Sequence, residues 1–314
     1  MHCRLIQTPP DNMATFVDEI LPEYDRLYGP RAAMVYQAHA AQQLSATIAH
    51  PDVRAFAVME QNNAQAMLFV RRQNSRCTLS FFHVLGANTI SDTGQALLWH
   101  AMDDVVFTGS PWVFTDYIPF CKLQVDETYR ALDFNRVDRQ FMVSSELPMP
   151  PTVPSGCEIR AATHGDIVHL ARVLFETYIG HAERLLFEEV QSASAARHFL
   201  NQCVAGAFGA CPRQFLLGAW RGPHCVGLAV GSEVVAGLGF VLHMAVLPSC
   251  QGIGLGGSLL SALVARFRER GLTRAGLGVT CTNPATHLYE RAGFAARRVF
   301  PVYYREGSPG GAGS

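Results

Sequence analysis

Nowhere among the nine cysteines of this 314-residue sequence is there a CxxC pair or a Cys/His cluster with zinc spacing. They lie scattered at positions 3, 77, 121, 157, 203, 211, 225, 250 and 281, an odd set that reads as reduced thiols and not as a disulfide framework. Excess charge of one sign is also missing. Lys and Arg number 25 against 26 Asp and Glu, so no global basic field draws in nucleic acid or a membrane surface. The start, MHCRLIQTPPDN, has polar residues and prolines where a secretory signal needs an apolar stretch. The expectation from these absences is a cytoplasmic protein with no bound metal, no nucleic-acid partner and no membrane, its oligomeric state open. Val226 to Pro248 is apolar enough to raise a membrane span, but Glu233, His243 and four glycines interrupt it. Two buried strands joined by a turn fit it better than one helix.

What is present is the material of a packed protein: 49% apolar and 16% charged residues over a length that suits two domains of about 150 residues each. The clearest boundary is residues 147–155, Leu-Pro-Met-Pro-Pro-Thr-Val-Pro-Ser, whose four prolines remove backbone donors and hold the chain extended. The expected organisation is a domain over 1–146, this linker, a second domain over 156–306, and a disordered Gly-rich tail over 307–314. In the second half, Cys157 to Ala161 reads as a strand, and Thr163 or Asp166 caps a helix running through Ile167, Leu170, Val173 and Leu174. Ala195 to Val204 reads as another helix. Gln214 to Trp220, Cys225 to Val230 and Leu238 to Val246 read as a three-strand meander. From Ile253 the apolar period becomes helical until Gly271; then come a strand at Arg274 to Thr280, a short helix at Pro284 to Arg291, and a last strand at Arg297 to Tyr304.

The first half repeats this order, with strands near Ala55 to Glu60, Gln65 to Arg71 and Cys77 to Leu85, a helix near Gln95 to Val106, and a strand at Trp112 to Asp116. Its Tyr129-Arg-Ala-Leu-Asp-Phe134 echoes Tyr289-Glu-Arg-Ala-Gly-Phe294 at a separation of 160 residues, which points to a duplicated unit.

The chemistry-bearing motif is the strand ending Leu242-His-Met-Ala-Val246, a short gap, and Gln251-Gly252-Ile253-Gly254-Leu255-Gly256-Gly257 opening an amphipathic helix. Glycines let backbone approach an anion, and the free amides and positive dipole end of a first helical turn hold it. Gln251 adds a neutral donor. The plain alternative is an ordinary tight turn. Gly252, Gly254 and Gly257 also satisfy GxGxxG, but five residues separate strand from turn, and Arg274 to Thr280 lacks the acid that would bind a ribose. Ser258 follows Gly257 rather than Lys, which excludes the Walker motif.

The block resembles the GNAT N-acetyltransferase superfamily, whose signature is Gln or Arg, two residues, Gly, one residue, then Gly or Ala. Gln251, Gly254 and Gly256 fill it, and the likeness extends over Cys157 to Arg305, including Asn283-Pro-Ala-Thr-His-Leu-Tyr-Glu-Arg-Ala-Gly-Phe294. It implies an α/β fold, an α+β mixed sheet in two tandem GNAT-like units, and acetyl-CoA or another short acyl-CoA as cosubstrate. The resemblance further implies that pantetheine enters between splayed strands beside Met244, Ala245 and Val246, and that residues 251–257 hold the pyrophosphate. Asn283 would contact the cofactor arm and Tyr289 would protonate the departing thiolate. Core packing for Tyr289 and helix capping for Asn283 stand as the alternatives.

Amine attack on a thioester needs a base. His243 suits by type, although bases of this family fall four or six residues before Val246, at Leu242 and Phe240. Strand alternation would then turn His243 away, and a bulge would reverse that. A buried, hydrogen-bonded histidine is the competing account; Glu233, near a turn, reads rather as a solvated carboxylate. After Val84 the first half has no QxxGxG, so it is expected to be a degenerate partner in which His83, Phe81 and Phe82 face an acceptor cleft or pack in a core. The resulting expectation is an N-acetyltransferase acting on a primary amine of a small molecule or peptide, with a non-catalytic acyl-CoA sensor as the rival.

Overall fold

The computed structural model describes residues 2–73, 76–86, 92–107, 112–115, 126–145 and 153–306. The chain divides into two compact units, Met1–Asp138 with Phe300–Ser314, and Arg139–Val299. In chain order the first half forms β1 (His2–Ile6), α1 (Met13–Tyr28), α2 (Pro30–Ile48), β2 (Val53–Glu60), β3 (Asn63–Gln73), β4 (Arg76–Val84), α3 (Asp92–Phe107), β5 (Trp112–Thr115), α4 (Asp126–Ala131) and β6 (Asn135–Ser144). The second half forms β7 (Glu158–Ala161), α5 (Ile167–Thr177), α6 (Ala193–Val204), β8 (Leu216–Arg221), β9 (His224–Val235), β10 (Leu238–Val246), α7 (Leu255–Glu269), β11 (Arg274–Thr280), α8 (Thr286–Arg291) and β12 (Ala295–Glu306). Among the described residues no helix is long and apolar enough to cross a membrane.

The first unit has a sheet in the order β1-β2-β3-β4-β5-β12, antiparallel except for β4 with β5. Alternating side chains send Phe56, Leu68 and Leu79 to a core with Leu97, Leu98 and Met102 of α3, and Ala57, Met67 and Phe69 to one with Phe16 of α1 and Ile48 of α2. The second unit repeats the plan as β6-β11-β10-β9-β8-β7, antiparallel except for β10 with β11. Here Gly231 and Gly239 let Phe267 of α7 lie directly on the sheet, since a Cβ at either would stand 2.4 Å from its ring.

The units do not follow the division at residues 147–155. Arg139–Ser144 of β6 pair with β11 in the second unit, and Tyr304–Glu306 of β12 pair with β5 in the first, so each half of the sequence supplies the closing strand of the other unit's sheet. Strand pairing across such a distance in sequence leaves no local signature. Residues 147–152 of the expected linker and the tail 307–314 lie outside the described residues.

The duplication is visible in hydrogen bonds. Phe134 N–H reaches Tyr129 O at 2.9 Å, and Phe294 N–H reaches Tyr289 O at 3.0 Å. Leu132 and Ala292 likewise each close on the two carbonyls four and three residues back, and the turn residue has φ 60 at Asp133 and φ 81 at Gly293. Both are the same left-handed helix stop, built with different residues.

Candidate active site

The site is made by a failure of pairing. β10 pairs with β11 only from Leu238 with Arg274 to Val241 with Leu277, while its pairing with β9 continues to Val246 with Gly227. β11 meanwhile stays bound to β6 as far as Thr280 with Arg139. Beyond Val241 the two parallel strands therefore part, and each is held on its outer side. Leu247 N–H bonds Val226 O at 2.9 Å, toward β9, so by alternation the peptide edges of Met244 and Val246 turn into the gap while that of Ala245 turns away. Gln251 Nε2 donates to Val246 O at 2.9 Å, so its amide ties the turn back to the strand.

The gap leads to the glycine turn. Gly252 and Gly254 have φ 77 and 88, the region where a Cβ is strained, and Gly254 starts α7. Ser258 N–H is the first to close on the helix start, at 3.1 Å from Gly254 O, which leaves the N–H groups of Leu255, Gly256 and Gly257 with no earlier carbonyl of the helix to bond. Gly252, Ile253 and Gly254 are exposed, Gly256 and Gly257 half-buried, and Leu255 is buried as the helix's anchor. Open space surrounds Gly252, Gly254 and Gly257. Residues 251–257 thus form an uncovered amide-lined turn of the kind that suits a pyrophosphate.

His243 lies beside the gap because of a bulge. Val241 faces Gly231, but His243 faces Val230, so β10 carries an extra residue there. Val241 shares the face of Gly231, which lies against α7; the bulge turns His243 to the opposite face, among Phe199 of α6, Phe187 and Tyr178 at ring distances of 5.2, 5.2 and 5.9 Å. Its Nε2 lies 2.7 Å from Glu189 Oε1. The residue is 6% exposed. Nδ1 is the ring nitrogen left for another partner.

Tyr289 of α8 is buried, and that burial, followed by the nearby Glu183 carboxylate, pushes its phenol up to about 12. Asn283 is a cap: its Oδ1 accepts Ala285 N–H at 2.9 Å, and its Nδ2 donates to Glu183 Oε2 at 2.9 Å. Glu183 also accepts Thr280 N–H at 3.2 Å, so it pins the end of β11 where the strands have parted. Tyr178 connects these groups. Its phenol is pushed up by burial first, then by Glu183, Tyr289 and Glu189, with Arg139 opposing. His243 and Tyr289 are therefore brought into one neighbourhood. Glu233 is not part of it: its Oε1 accepts Gly237 N–H at 2.8 Å and closes the β9–β10 turn.

Sequence reasoning missed Glu183, Glu189, Phe187 and Arg139. Glu183 and Glu189 lie in two short 3-10 turns between α5 and α6, with Phe187 between the turns, a stretch that has no apolar period, and Arg139 arrives on the exchanged strand. In the first unit, Phe82 is core, and His83 is buried with Nε2 3.3 Å from Glu19 Oε2.

A mixed sheet whose two central parallel strands diverge toward a glycine-rich helix start is the architecture of an acyl-CoA N-acyltransferase fold. Residues 174–294 match the family model described as Acetyltransferase (GNAT) family. Over 85 residues, 27% of the chain, the sequence is 33% identical to the [Ribosomal protein bS18]-alanine N-acetyltransferase of Haemophilus influenzae; the match spans 58% of that relative's length, less than two thirds. Among solved structures, a GCN5-related N-acetyltransferase from Sphaerobacter thermophilus superposes with a TM-score of 0.70 at 16% identity, covering 98% of this chain and 96% of that one. A tandem GNAT protein from the clavulanic acid biosynthesis pathway covers 98% and 99%, with a TM-score of 0.62 at 16% identity. At such identity these two likenesses establish the fold alone, which is shared over nearly the whole chain.

Proposed function

We propose that the second unit transfers an acetyl group from acetyl-CoA to a primary amine. The observation that carries this reading is the parting of β10 from β11 beyond Val241 and Leu277, aimed at the unbonded amides of Leu255, Gly256 and Gly257. Pantetheine would lie along the gap edges of Met244 and Val246, and the pyrophosphate at residues 251–257. The acceptor's ammonium gives a proton to His243, directly or through water, with Glu189 holding Nε2 so that Nδ1 is the basic atom. The amine nitrogen then bonds to the thioester carbon, the C–S bond breaks, Tyr289 protonates the leaving thiolate, and the surplus proton of the acylated nitrogen restores the phenol. With a pKa near 12 its phenol retains that proton at neutral pH.

A non-catalytic acyl-CoA-binding protein is the second reading, favoured by the enclosure of His243 in an aromatic box. Calorimetric titration of acetyl-CoA into wild type and Gly254→Trp tests the site: saturable binding lost in the variant supports it, and no binding by folded wild type overturns it. Release of free thiol on mixing with a panel of amines then separates enzyme from sensor.

A further inference from the structure

Arg139 is 7% exposed, yet its guanidinium is barely engaged. Of five N–H donors, the one hydrogen bond among the described residues runs from Nη1 to Thr280 Oγ1 at 3.4 Å, near the outer limit for such a bond. Glu183 Oε1 is 4.0 Å away, and that carboxylate's oxygens already receive Thr280 N–H and Asn283 Nδ2. The remaining neighbour is the ring of Phe187, 5.2 Å from the guanidinium carbon. Two other arginines are held more closely: Arg160 meets Asp166 through both terminal nitrogens at 2.8 and 3.2 Å, and Arg136 meets Asp126 and Asp138 at 2.6 to 2.9 Å, while Arg184 and Arg305 each keep a buried Nε without a partner among the described residues. No Arg139 nitrogen is among the fully buried atoms without a partner, so its unused donors face space that water or a ligand's acceptors can fill.

Its position says which. Thr280 ends β11 on the wall of the gap, beyond the last β10 pair at Leu277. The charge of Arg139 reaches the Tyr178 phenol, which also feels Tyr289 and Glu189. A planar fork with unused donors beside the reacting groups matches two oxygens in one plane.

We propose that Arg139 receives a carboxylate carried by one of the two substrates, next to the acyl group being transferred. The carboxylate is either that of an amino-acid-like acceptor or the far end of a dicarboxylic acyl chain. This rests on the acyltransfer reading above.

The probes are acetyl-CoA and succinyl-CoA by calorimetry, and α-amino acids against their amides by thiol release with acetyl-CoA, in wild type, Arg139→Met and Arg139→Lys. If the acyl chain is the source, succinyl-CoA binds wild type at least tenfold more tightly than acetyl-CoA, and Arg139→Met removes that preference while acetyl-CoA binding persists. If the acceptor is the source, amino acids exceed their amides at least tenfold in kcat/KM, and the same variant removes the difference. Arg139→Lys retains charge but loses the fork, so the preference falls several-fold; it decides the matter should Arg139→Met fail to melt cooperatively. Wild type with neither preference, or a preference untouched in the folded variant, overturns the proposal and leaves the acyltransfer reading standing. Absence of acetyl-CoA binding overturns both.

Discussion

His83 and His243 stand 160 positions apart, and each follows an extra residue in the corresponding strand of its own sheet. Each sends Nε2 to a glutamate, Glu19 at 3.3 Å and Glu189 at 2.7 Å, and each packs on phenylalanine. The pair thus occurs both in the unit with the glycine turn and in the one without it. Its presence alone is a property of the duplicated fold, and only chemistry can show which copy is used.

That comparison gives the first prediction. His243→Gln lowers kcat for thiol release on the order of 10²-fold or more, the usual worth of a general base, with acetyl-CoA affinity unchanged. His83→Gln leaves kcat alone and lowers the melting temperature. Equal turnover in the two variants would remove His243 from the mechanism.

Tyr289→Phe should lower kcat without raising KM, because the phenol acts after the acyl carbon has been attacked. Since burial holds its pKa near 12, the proton is present throughout neutral and mildly alkaline pH, and the ratio of wild-type to variant rates stays flat from pH 7 to about 10. A ratio that falls through pH 8 or 9 would contradict this role.

The two helix stops predict opposite signs for similar substitutions. Asp133→Gly relieves a left-handed residue and gains a few tenths of a kcal/mol, up to about 1, whereas Gly293→Ala loses about 1 kcal/mol. Urea unfolding followed by circular dichroism measures both.

Asp166 provides a pH test. The Arg160 guanidinium, and then the N–H and hydroxyl of Thr163, hold its carboxyl well below the usual carboxylate range. A folded pKa below the unfolded value of about 3.9 means that this stabilisation is present above pH 4 and is lost as pH falls below it. Asp166→Asn should flatten the decline in melting temperature between pH 5 and pH 3, and an unchanged slope would count against it.

Much of the second unit was legible because its signals are local. The strands at 238–246 and 274–280 have the bounds that apolar runs between turn residues imply, and Gly254 and Gly271 mark helix ends by their own chemistry. The splay expected from the family resemblance is present. The bulge before His243 had no Gly or Pro to announce it. Glu189 lies 54 positions from its partner, and Arg139 lies 141 from Thr280, so neither pairing has a spacing to read. In the first half α1 and α2 escaped notice: Pro22 stands inside the one, and the other has alanines where an apolar stripe would show.

The exchanged strands have a consequence for how the chain becomes a protein. β5 gains its outer neighbour only from residues 304–306, synthesised nearly two hundred positions after it, so the first sheet has an open edge throughout synthesis of the second half. The second sheet, by contrast, receives β6 from chain already made. Closure of the first unit is therefore expected as the last and slowest phase of refolding, and residues 153–306 expressed alone should aggregate, with the exposed flank of β11 as the adhesive edge.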